Sequence, residues 1–157
     1  MKTFFSATLL AVSSATSAAP PVEIWSTATA TRASDGWVLI YRVADRMIPE
    51  FQKQSQPDRV VVSWRFSGQK GLPTASEQKS MDALEDAVDG LSANLATLVS
   101  VSTGNNKRQW VYYTQSGRNF IDAVQKVQSK AVVPLEFETI WDPKWALHDS
   151  FVRSIRR

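Results

Sequence analysis

In Lys107-Arg108-Gln109-Trp110-Val111-Tyr112-Tyr113 a guanidinium, an indole and a phenol recur at alternate positions, just after a turn-like Gly104-Asn105-Asn106. Alternate residues of an extended strand share a face. Arg108, Trp110 and Tyr112 would then form one flat, cationic and aromatic surface. Such a surface can stack nucleobases. It can also anchor a protein or peptide, because Trp, Tyr and Arg dominate binding hot spots. Arg65, from another strand-like run, is assigned to the same surface, with Trp141, Asp142 and Trp145 at its rim. A contrasting reading puts these aromatics in the core, and the exposure of Trp110 separates the two.

Other chemistry has fewer parts. His148 is the only histidine and there is no cysteine, which leaves too few ligands for a zinc site and no ready Ser-His-acid triad. His148 is assigned to the surface of a last helix. A hydrolase would have to rest on Asp142, Asp149 and His148. Against that, Asp142 before Pro143 suits a helix cap with proline at the first helical position. Asp82, Glu85, Asp86 and Asp89 form an acidic row on one helix. Calcium sites draw ligands from a loop that wraps the ion, so a solvated face is the expectation here. Gly68 to Pro73 lacks the spacing of a phosphate-binding loop. No cofactor and no metal are expected.

The positioning elements can be read from periodicity. Ile24 to Arg32, a turn at Ala33-Ser34-Asp35-Gly36 and the run Gly36 to Val43 predict a β-hairpin. Residues 44–58 read as a loop with a helical turn near Glu50. Arg59 to Phe66 predicts a strand whose Val60, Val62, Trp64 and Phe66 share a face. Thr74 and Glu77 form a capping box for a helix running to about Leu91, with Met81, Leu84, Val88 and Leu91 as its buried stripe. Thr97 to Thr103 and Arg108 to Tyr113 are strands about a turn at Gly104–Lys107. Phe120, Ile121, Val124 and Val127 mark a second helix. Leu135 to Ile140 is a last strand, and a short helix from about Lys144 docks Trp145, Phe151 and Ile155.

From Arg59 onward the order is β-α-β-β-α-β, the split βαβ order of ferredoxin-like domains. The expected fold is α+β, with an N-terminal β-hairpin before that unit and a short C-terminal helix after it. The apolar residues Val60, Val62, Trp64, Phe66, Val99, Val101, Val111, Tyr113, Leu135 and Phe137 are assigned to the helix side of the sheet. Arg65, Ser100, Ser102, Arg108, Trp110, Tyr112, Glu136 and Glu138 are assigned to the opposite side. The third strand would then resemble that of the RNA recognition motif in carrying a basic residue and aromatics. Two glutamates on the same face repel phosphate, so no nucleic-acid partner is expected.

Totals set the compartment and class. The chain has 157 residues, 43% hydrophobic and 21% charged, which is ordinary for one globular domain. The opening MKTFFSATLLAVSSATSAA has a lysine, a short apolar run and then small residues, the layout of a secretory signal. Cleavage after Ala18 would leave residues 19–157 as a single domain in the periplasm or outside the cell. Loss of Lys2 lowers the formal charge from +3 to +2, too little to mark a dedicated nucleic-acid binder. Without cysteine, no disulfide supports the fold even in an oxidising compartment. No stable membrane insertion is expected after cleavage.

Three segments together resemble the bacterial domain of unknown function 695 family: SWRFSGQKGLPTASEQKSMDALEDAVDGL, VSTGNNKRQWVYYT and WDPKW. The resemblance spans roughly Trp25 to Phe151. The family usually has glycine where this chain has Asn106, and asparagine tolerates positive φ. The acidic residue often found before Asp-Pro is Trp141 here, so no charge is offered there. The resemblance implies a compact α+β domain, similar in build to ribonuclease E regulator B-like domains, and brings no catalytic residues. The combined expectation is an exported, non-catalytic module. Its partner would be a protein or peptide in the cell envelope, met on the aromatic and arginine face of the sheet.

Overall fold

A computed structural model of the chain describes residues 21–92, 95–128 and 134–156. The leader expected at residues 1–18 lies outside them. The order is β1 (Val22–Thr31), β2 (Val38–Met47), β3 (Asp58–Arg65), α1 (Ala75–Ser92), β4 (Ala96–Gly104), β5 (Lys107–Thr114), α2 (Gly117–Gln128), β6 (Leu135–Trp141) and α3 (Ala146–Ile155). The strands form one sheet in the order β1-β2-β4-β5-β3-β6, with every neighbouring pair antiparallel. Six antiparallel strands and three helices make this an α+β domain. Among the described residues no helix is long and apolar enough to cross a membrane. The short helical turn expected near Glu50 lies at Lys53–Ser55 instead.

Local chemistry accounts for the element boundaries. The amide of Thr74 donates to Glu77 Oε2 at 2.8 Å, and the Glu77 amide donates to Thr74 Oγ1 at 3.3 Å. These reciprocal bonds start α1 by satisfying amides that no helical carbonyl reaches. Glu77 also accepts from the Ser67 amide at 3.0 Å, tying the connection from β3 to the helix. Asn105 and Asn106 both hold positive φ, 51° and 55°. That is the backbone of a two-residue turn whose twist matches its strands.

α1 and α2 cover the front of the sheet, where Val60, Val62, Trp64, Met81, Val88, Phe120 and Val124 pack together. α3 lies on the back. There Trp145 stacks on Tyr113, 4.0 Å between ring centroids, beside Phe51 and Val99. Tyr41 of β2 meets Phe151 of α3 edge-on.

The expected sorting of side chains between the two faces holds for β3 and fails for β5. Trp110 and Tyr112 lie in the front core under the helices, and Val111 and Tyr113 face the back. The cause is register: Val62 pairs with Trp110 and Val60 with Tyr112, and directly opposed residues share a face. In β4 a bulge opposes Val99 and Ser100 to Val111. A bulge shifts the alternation by one residue. Leu98 and Val101 therefore both reach the front core, while Val99 turns to the back cluster.

Candidate functional site

The seven residues singled out as a binding surface do not form one. Trp110 is 2% exposed, and its indole Nε1 donates to Glu85 Oε2 of α1 at 2.7 Å. Tyr112 is buried against Phe120. The buried Arg108 guanidinium donates to Asp82 and Gln78 of α1, each at 2.8 Å, and to Thr103 Oγ1 at 2.9 Å. A buried charge needs such partners, so Arg108 fastens the helix to the sheet. Burial alone would raise the Asp82 carboxyl; the hydrogen bonds from Arg108 and Gln78 outweigh it and hold the carboxyl below its usual range.

Of the remainder, only Arg65 and Trp141 reach solvent. Arg65 pairs with Glu136 at 2.8 Å on the back face. Trp141 is 72% exposed and pairs with Asp58, at the far end of β3 from Arg65. Seven residues of extended strand separate those ends by roughly 23 Å, too far for one compact contact. The contrasting reading, with aromatics in the core, describes Trp110, Tyr112 and Trp145.

The back of the sheet closes around Asp142. One carboxylate oxygen accepts from the Ala146 amide at 2.9 Å. The other accepts from the Leu147 amide at 3.0 Å and from the Tyr113 hydroxyl at 2.6 Å. Burial works to raise this carboxyl, and the Tyr113 and amide hydrogen bonds bring it below its usual range. Asp142 thus caps α3. Pro143 is not the first helical residue, however: a turn intervenes, with Trp145 in the left-handed region at φ 55°. The Trp145 indole donates to the Gln56 carbonyl at 2.9 Å, and its ring is fully buried.

His148 is buried, not on the surface, because α3 turns it inward against the edges of Tyr113 and Trp145. Burial lowers its pKa, with partial opposition from Asp149. Asp149 bonds Lys53 at 2.8 Å. The hydrolytic set is thus divided among a helix cap, a packed ring and an ion pair. Among the described residues no group of three or more acidic or histidine side chains is placed to hold a metal ion.

An open concavity lies elsewhere, on the front of β2 and β4 beside α1. The groove is about 390 Å³. Its floor includes Ile40, Arg42, Val101 and Thr103, and its wall is the Asp82, Glu85 and Asp86 flank of α1. Arg42 crosses from β2 to pair with Glu85. The Arg42 guanidinium also lies over the Trp25 ring, 5.2 Å from its centroid. The carboxyl of Asp89, a helical turn beyond Glu85, is pushed up by burial and by its acidic neighbour. Thr27 opposes Arg42 and Thr29 opposes Ile40, so both threonines share the groove's face. Among the described residues no helix covers this part of the sheet, and Trp25 is 40% exposed.

Trp25, Arg42 and the threonines of β1 were not among the residues singled out from sequence. A signal for them exists: Val22–Thr31 is a strand-length run with one charge, Glu23. Such a run must either be paired on both sides or leave an attractive edge.

A family model described as a family of unknown function (DUF695) matches residues 25–152. No curated protein and no solved structure matches the chain.

Proposed function

The chain belongs to the DUF695 family of unknown function, and from that premise we propose that it is an exported, non-catalytic module that binds a protein or peptide segment. The contact lies on the front of the hairpin. The observation that carries this reading is the open Trp25–Arg42 stack beside a groove walled by carboxylates. An exposed indole and guanidinium, already stacked, lose little side-chain freedom on meeting a partner and are strong anchor types. The layout of residues 1–18 supports export.

The four strands β3 to β6 follow the ferredoxin-like split βαβ plan in our reading, with β1 and β2 as an added hairpin at the β4 side. The sheet order and the antiparallel pairing of β2 with β4 support it. The hairpin seats closely: a Cβ on Gly104 would meet the Val38 carbonyl oxygen at 2.5 Å. On this plan the hairpin extends the sheet beyond α1 and creates the groove.

Affinity capture from a cell-envelope extract tests the function. The Trp25→Ala/Arg42→Ala protein should lose bound polypeptide by roughly tenfold or more, with an unchanged circular dichroism spectrum. Equal capture by both proteins would contradict the reading.

A further inference from the structure

The groove has a wall on one side only. α1 bounds it on the β4 side, while on the other side its lining stops at Ile40 and Arg42 of β2, and the front of β1 continues that surface to the edge of the described sheet. The regular part of β1, residues 25–31, spans about 23 Å and presents outward amides and carbonyls that no described strand pairs. Natural edges of that length are normally guarded by lysine, proline, bulges or inward charges. β6, at the opposite edge, carries Glu136 and Glu138, and a strand pairing there would meet both. The N-terminal end of β1 does have guards, since its ladder to β2 is irregular on both sides of Ile24 and Glu23 there is paired with Arg46 at 2.9 Å, but from Trp25 to Thr31 the ladder is regular and carries no charge, proline or bulge.

We infer that β1 pairs antiparallel with β1 of a second copy of this chain, about a two-fold axis at Thr27, so that two half-grooves become one trough walled by two α1 helices. This rests on the front of the hairpin being the binding face. An axis at Thr27 sets Trp25 opposite Thr29 of the second copy and brings the irregular start of β1, with Glu23, toward the other copy's Thr31 and Arg32. The two Glu23 side chains stand at opposite ends of the pairing, so no like charges meet.

A two-fold axis perpendicular to the sheet keeps both front faces on the same side. The floor then runs β4-β2-β1-β1-β2-β4, five strand spacings or roughly 24 Å across. That width admits an extended segment or one α-helix of about 10–12 Å. A single copy supplies half of such a floor and one wall. The second copy supplies its own Trp25 and Arg42 and the missing wall, and it closes the edge.

Sedimentation velocity over a wide concentration range tests the pairing. The purified full chain should shift to a dimer as concentration rises. The Thr27→Lys/Thr29→Lys protein should remain monomeric, and Glu136→Thr/Glu138→Thr on β6 should dimerise like the parent. A parent that stays monomeric throughout, or a lysine variant that dimerises equally, overturns the inference. Should the lysine variant misfold, Thr27→Cys decides. The chain has no other cysteine, so mild oxidation should give a disulfide-linked dimer; a protein that stays uncross-linked overturns the pairing. Capture by a strictly monomeric protein would overturn the dimer and leave the binding function standing. A dimer that captures nothing would do the reverse.

Discussion

The strands β4-β5-β3-β6 are tied to their helices by bonds to buried side chains, whereas β1 and β2, joined to them by the β2–β4 ladder, add ion pairs whose arginines are open to solvent. In the first set Asp142, directly after β6, ties α3 to Tyr113, and Arg108 ties α1 to β5. In the second, Arg42 meets Glu85 and Arg156 meets Asp45, each arginine about half in solvent. Buried bonds to charged groups are costly to break, and exposed pairs contribute little. The four-strand body therefore carries most of the stability. β1 and β2 are left with an open front face and, from Trp25 to Thr31, a regular uncharged edge, the features on which our proposal rests. Anchor residues were expected where aromatics are dense, on β5. That density is buried in the core, and the anchors we propose, Trp25 and Arg42, are on the sparser β1 and β2.

Substitutions can break or sharpen this contrast. Asp142→Ala removes the cap of α3 and leaves the Tyr113 hydroxyl buried without its acceptor. It should cost about 3 kcal/mol, read by urea denaturation. Asp82→Ala leaves Arg108 with Gln78 and Thr103 alone, and should cost about 2 kcal/mol. Arg42→Ala on the hairpin should cost less than about 1 kcal/mol. A larger loss from Arg42→Ala than from Asp82→Ala would erase the distinction between the two sets of strands. Thr27→Lys/Thr29→Lys, on the exposed edge, should change unfolding free energy by no more than about 0.5 kcal/mol.

Proton linkage gives a further reading of the body. The folded pKa values of Asp142 and Asp82 are depressed, so below about pH 4 the unfolded chain takes up protons first. Their stabilisation is complete above that range and is lost as pH falls through the folded values. His148 is also depressed, because burial disfavours its imidazolium. The unfolded histidine therefore protonates first below about pH 6.5, and stability declines as pH falls from there toward the folded value. Melting temperatures measured between neutral and acid pH should show both declines, and His148→Gln should flatten the upper one only.

Much of the fold was legible because local rules agreed. Thr74 and Glu77 announced α1, the Asn105-Asn106 turn announced β4 and β5, and Asp142 announced the start of the last helix. The sides of β5 were not legible from hydrophobicity. Both of its faces are apolar, because the helices cover the front and Trp145 with Phe51 covers the back. Alternation carries no signal on a strand buried on both sides. Turn geometry did carry one. A two-residue turn at Asn105-Asn106 sets Gly104 against Lys107 and hence Val101 against Trp110, so a valine under the helices requires the indole there too. The bulge at Val99 has no mark in the alternation of the sequence, and it hid this correspondence from β4.

Hydrogen–deuterium exchange, at low and high protein concentration, tests the central claim most directly. If the β1 edge is the contact, amides of residues 22–31 should slow markedly at high concentration, while those of 135–141 stay unchanged. Protection that appears in β6 or α3, with β1 exchanging equally fast in both samples, would contradict it.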